Sequence, residues 1–130
     1  PVASYVPVVV HGGLVYVSGQ LPFIDGKLVT GKLGSDLGIE RGIEAARACG
    51  LMILAQLEAV DLLDRVERIV KLGGFVASTP DFTDQPKVAN GASDLMVEVF
   101  GDAGKHARAA VGVPVLPLNA AVEVDAIIAL

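Results

Sequence analysis

Two charged residues near the end of the chain stand among neutral neighbours. Arg108 is set within Ala107, Ala109, Ala110 and Val111, and Glu123 lies between Val122 and Val124. Charge in such company needs a partner. The segments Ala107 to Val113 and Ala120 to Ile128 both read as strands, joined by a link that contains Pro114 and Pro117. A hairpin centred between Val115 and Leu116 would put residue 108 opposite residue 123, as a cross-strand salt bridge that fixes register. Structural ion pairs perturb their members much as catalytic pairs do, so these two residues alone leave salt bridge and site both open. Other constellations are excluded by inventory. The chain has two histidines, His11 and His106, with no cysteine or carboxylate at ligand spacing around either, so no metal site is expected. Cys49 falls within a helical pattern and reads as packing. Ser18-Gly19 is not a nucleophile elbow, and Gly101 to Gly104 lacks the Lys and Ser/Thr of a phosphate-binding loop.

The elements that must carry these residues follow from periodicity and turn chemistry. The apolar opening from Pro1 to Val10 reads as a strand, and Tyr5 to Val10 with Leu14 to Ser18 as a hairpin around His11, Gly12 and Gly13. Leu21 to Gly34 reads as loop with one minor strand, Asp25-Gly26 being a turn pair. Ser35 or Asp36 is suited to cap a helix whose apolar positions Ile39, Ile43, Ala46, Ile53, Leu54, Leu57 and Val60 recur mostly at three- and four-residue steps. Gly38, Gly42 and Gly50 each cost about 1 kcal/mol against Ala in a helix interior, so packing must hold it. Val66 to Ala77 reads as a central strand bulged at Gly73-Gly74. Pro86 opens a second helix, which ends at Phe100 before Gly101. The spacing predicts one α+β domain over residues 1–130, a two-layer fold with a mixed or antiparallel sheet and both helices on one face.

Composition narrows the partners. The 130 residues are 52% hydrophobic and 19% charged, too apolar for disorder, and the excess suits a subunit interface. A net charge of -5 from 10 basic and 15 acidic residues gives no broad attraction to nucleic acid or anionic membrane. With one cysteine and no basic leader before the apolar start, a cytoplasmic location is the expectation.

The ordered set Tyr5, Ser18-Gly19-Gln20 with Pro22, Asp81-Phe82 leading to Asn90, Ala107-Arg108, Leu116-Pro117 and Val122-Glu123-Val124 resembles the motifs of the YjgF/RidA family across almost the whole chain. That resemblance implies a chorismate-mutase-like fold and a homotrimer with ligand clefts between subunits. It implies cofactor-free hydrolysis of reactive 2-enamine or 2-imine acids to 2-keto acids and ammonia, a 2-iminobutanoate/2-iminopropanoate deaminase. Carried over by position, Arg108 would hold the substrate carboxylate and Glu123 would orient or activate water. Tyr5, Ser18, Gly19 and Asn90 would line the pocket. Ala110 stands where the family often has a cysteine, leaving only a backbone carbonyl to contribute. Gly112 stands where a carboxylate is frequent, and the stretch from Asn90 to Arg108 is one residue longer than in family members. These departures, with Asn90-Gly91-Ala92-Ser93 and His106 to Val113, mark a distinct branch. The alternatives are a module that binds a carboxylate metabolite without turnover and a chaperone-like trimer in which Arg108 and Glu123 are only a salt bridge.

Overall fold

The computed structural model describes residues 3–130. Strand β1 (Val8–His11) turns into β2 (Leu14–Gln20) through Gly12 and Gly13, whose φ angles of 61° and 78° are those a two-residue turn between twisted strands requires. Residues 1 and 2 of the expected opening strand lie outside the described residues, and pairing begins only at Val8. The stretch expected to hold one minor strand makes two, β3 (Phe23–Ile24) and β4 (Lys27–Leu28), a small antiparallel ribbon around Asp25 and Gly26. Helix α1 (Ile39–Ala59), β5 (Arg68–Ala77), α2 (Gln85–Phe100), β6 (Ala107–Val113) and β7 (Val122–Ala129) follow.

The five long strands form one mixed sheet in the order β1-β2-β7-β5-β6, and both helices cover the same face. Along β7 alternate residues are buried beneath the helices, namely Val122, Val124, Ala126 and Ile128, while Glu123, Asp125, Ile127 and Ala129 point to the other face. Val15, Val17, Ile69, Leu72 and Val76 complete the buried face. From α1 come Ala45, Ala46, Cys49, Ile53 and Leu57, and from α2 Val88, Ala92, Leu95 and Met96. Small residues let the helices approach closely. A Cβ on Gly91 would coincide with the Ile43 carbonyl oxygen, and one on Gly50 would press on the Leu95 side chain. Cys49 is fully buried, its Sγ 3.6 Å from the Val122 carbonyl oxygen. Burial pushes its thiol pKa up, and the nearby negative charge of Glu123 adds to the effect.

Three expectations are corrected. The last two strands are not a hairpin: β6 runs parallel to β5, and β5 lies between β6 and β7. The link between them passes through the turn Pro117–Asn119, where Leu118 and Asn119 adopt left-handed φ angles of 59° and 61°, and carries the chain past β5. Gly38, not Ser35 or Asp36, is the N-cap of α1, because Asp36 Oδ1 accepts the Lys32 backbone N–H at 2.7 Å. The irregularity of β5 falls between Ile69 and Lys71. Gly73 is instead small for its neighbour: a Cβ there would strike the Asp125 carboxylate. No described helix is long and apolar enough to cross a membrane.

Candidate functional site

The seven residues singled out in the sequence fall into two separate groups, one around β2 and β7 and one on β6 and α2. The first is built on an irregularity in β2. Val17 pairs with Ala126 and Gln20 with Val124, so three steps on β2 oppose two on β7, and Ser18-Gly19 forms the bulge. Bulges re-aim side chains, and here the glycine makes room for one: a Cβ at residue 19 would coincide with the Glu123 carboxylate. The Ser18 hydroxyl donates to the Val6 carbonyl at 2.9 Å, and the Ser18 N–H to the Pro7 carbonyl at 2.9 Å. These bonds tie the segment carrying Tyr5 against the bulge. Tyr5, Ser18, Gly19, Gln20, Met52 and Gln56 surround a hollow of about 210 Å³. Gln20 is buried, its amide donating to the Ser18 carbonyl and its oxygen accepting from Gln56.

Glu123 is half-buried, and its pKa is raised by burial first and by the negative charge of Asp125 second. Asp125, two residues along the same face, is also raised by burial, against the opposing pull of the Gly73 backbone and Lys71. A carboxylate so placed is a stronger base once ionised than one in water.

The second group lies on the edge strand β6. Arg108 is level with buried Leu72 of β5, so it points to the helix side. There its Nη1 donates to Asn90 Oδ1 at 2.8 Å and to Ser93 Oγ at 3.1 Å. Asn90 and Ser93 sit one turn apart on α2, which is why one guanidinium reaches both. Ser93 Oγ also lies 2.8 Å from His106 Nε2, and His106 Nδ1 lies 2.6 Å from the Gly104 carbonyl oxygen. Ala110 follows Arg108 on the same side of β6, half-buried and level with Gly74.

Arg108 and Glu123 do not meet. Glu123 is level with Phe75 and Arg108 with Leu72, with β5 between them. Two strand spacings and three residues of rise separate their Cα atoms by roughly 14 Å. The side chains leave opposite faces, and neither enters an ion pair among the described residues. The cross-strand salt bridge is therefore ruled out within the subunit. Sequence reasoning missed the network of Ser93 and His106 and the neighbour Asp125. The spacing of Asn90 to Ser93 on a helix, and of His106 to Arg108 on one face of a strand, was the available signal.

These positions belong to a two-helix, mixed-sheet protein whose candidate polar residues fall in separate groups. Comparison with known proteins agrees. Residues 1–130 match the family described as "YjgF/chorismate mutase-like, putative endoribonuclease", and the chain belongs to that family. It is 53% identical to Protein TCP17 of Trypanosoma cruzi over 133 residues, covering all of this chain and 83% of that protein. A crystal structure of a protein of unknown function from Agrobacterium tumefaciens superposes with a TM-score of 0.94 at 50% identity, covering 98% of this chain and 82% of that one. RidA from an Antarctic Psychrobacter species superposes with a TM-score of 0.67 at 25% identity, covering all of this chain and 91% of that one.

Proposed function

We propose that this chain hydrolyses reactive 2-imino and 2-enamino acids of the 2-iminopropanoate type to 2-keto acids and ammonia, in sites that two subunits complete. The observation that carries the reading is the division of the site. A guanidinium held at one sheet edge and a half-buried carboxylate of raised pKa over a glycine bulge leave opposite faces of the sheet, and one subunit does not bring them together. Arg108 would hold the substrate carboxylate. The Glu123 carboxylate would take a proton from water as its oxygen attacks the C=N carbon. Passing that proton to nitrogen gives a carbinolamine, and transfer of the remaining hydroxyl proton to nitrogen through the same carboxylate lets the C–N bond break, releasing ammonia as the C=O bond forms. Tyr5, Ser18, Gly19, Asn90 and the Ala110 carbonyl would shape the pocket.

Association has its own support. The sheet face away from the helices exposes Val9, Tyr16 and Val111 by 48%, 41% and 44%, beside half-buried Phe75 and Ile127. Exposed apolar residues on one sheet face, interspersed with Lys71, Asp125 and Glu123, suit a subunit interface, and a homotrimer is the assembly this reading adopts. It places the protein in the cytoplasm, where pyridoxal-phosphate enzymes release such imines, and a net charge of -5 disfavours nucleic acid as a partner. The test is release of pyruvate and ammonia from 2-iminopropanoate generated in situ by an amino-acid oxidase. Acceleration over spontaneous hydrolysis is expected, and a rate equal to the spontaneous one would reject turnover.

A further inference from the structure

An arginine side chain has five N–H hydrogens, and the contacts of Arg108 commit two of them. Both hydrogens of Nη1 are used, on Asn90 Oδ1 at 2.8 Å and on Ser93 Oγ at 3.1 Å. A carboxylate that takes two parallel hydrogen bonds must then use the Nε–Nη2 edge.

Hydrogen-bond direction is fixed at the other end of this network. The Gly104 carbonyl oxygen, 2.6 Å from His106 Nδ1, can only accept, so Nδ1 carries the proton. A neutral imidazole protonated there offers a lone pair at Nε2, which lies 2.8 Å from Ser93 Oγ. Ser93 therefore donates its single hydrogen to His106 and keeps its lone pairs for Arg108. The donors run one way, from Arg108 to Ser93, from Ser93 to His106, and from His106 to the backbone of Gly104. That last anchor is itself tightly packed. Gly104 is buried in the turn Gly101–Gly104, and a Cβ there would coincide with the Met96 carbonyl oxygen of α2.

We propose that Ser93 and His106 are positioning residues which aim Arg108, so that its Nε–Nη2 edge receives the carboxylate of a 2-imino or 2-keto acid. The proposal rests on Arg108 as the carboxylate holder and adds how it is aimed.

Three measurements test it. In calorimetric titration with pyruvate, Ser93→Ala should weaken binding about tenfold, the effect of one lost charge-assisted hydrogen bond. Ser93→Thr restores the hydroxyl and should return affinity to within about twofold. With the imine substrate, Ser93→Ala should raise KM more than it lowers kcat, since the lost contact orients the bound carboxylate rather than the water. Nitrogen-15 NMR of the wild type should show His106 as the Nδ1–H tautomer, assigned against His106→Phe, and this readout holds even if a variant folds poorly. Wild-type affinity and KM in Ser93→Ala, or an Nε2–H tautomer at His106, would overturn the proposal. A wild type that binds no pyruvate would refute the substrate class instead, and the tautomer would then decide the positioning chain alone.

Discussion

Arg108 keeps its charge at any working pH, so a substitution that preserves charge isolates geometry. Arg108→Lys removes the planar fork and the simultaneous reach to Asn90, Ser93 and a ligand. Pyruvate affinity should fall about tenfold or more in calorimetric titration, and unchanged affinity would remove Arg108 from the site. Glu123→Gln keeps shape while abolishing the base. It should leave pyruvate affinity largely intact and lower kcat by roughly 10² to 10⁴, the range for a lost acid–base group. Because Glu123 has no cationic partner among the described residues, the variant should fold, and wild-type turnover would contradict the role. The raised pKa values of Glu123 and Asp125 also set a direction for stability. Carboxylates that bind protons more tightly folded than unfolded favour folding in acid. Their contribution is whole below their ordinary values of 4.5 and 3.8 and is lost as pH rises through the raised ones. Urea midpoints of the wild type should therefore decline from about pH 4 towards neutrality relative to a Glu123→Gln, Asp125→Asn double variant. Parallel pH curves for the two proteins would contradict the shift.

Among the elements, the crossing of α1 over α2 is the most sharply constrained. Replacing Gly91 by Ala gains about 1 kcal/mol of helix propensity in isolation. Here the added methyl meets the Ile43 backbone carbonyl, which cannot rotate aside, so the helices must separate. A net loss of about 1 to 2 kcal/mol is expected from such overpacking, read from the denaturation midpoint. A gain in stability would mean that the helices are not in such close contact. The same elements show what a sequence carries. The ends of α2 were legible because Pro86 and Gly101 act locally, as was the turn at Gly12-Gly13. The start of α1 was not, since Asp36 could cap a helix or close a turn, and the turn through Lys32 won. Strand character at Ala107–Val113 and Val122–Ala129 was equally plain, but neighbourhood was not. A connection with Pro114 and Pro117 suits a hairpin and a crossover alike, and only long-range pairing with β5 decides between them. Arg108 and Glu123 stood out through charge in apolar strands, whereas Ser93 and His106 sit on half-buried surface where polar residues are ordinary.

At the scale of the whole molecule, the proposed shared site predicts that association and function are the same event. Light scattering across a dilution series should give a trimer whose dissociation abolishes imine hydrolysis. Tyr16→Glu, placing charge on the exposed sheet face, should shift the population to smaller species and remove turnover. A folded monomer that still binds pyruvate at micromolar concentration would defeat the shared-site account. Cys49 offers a way to watch these equilibria without any enzymatic readout. It is the only thiol in the chain, sealed between α1 and β7 with its proton held tightly, so a soluble alkylating reagent has no target until the helix lifts from the sheet. If reclosing outpaces alkylation, the labelling rate reports the population of opened molecules, and if alkylation is faster it reports the opening rate itself. Any compound that binds the closed assembly must slow that clock by its own stabilisation of the native state. Candidate carboxylates could thus be ranked by the protection they give to one buried sulfur, including compounds that the protein holds but never turns over.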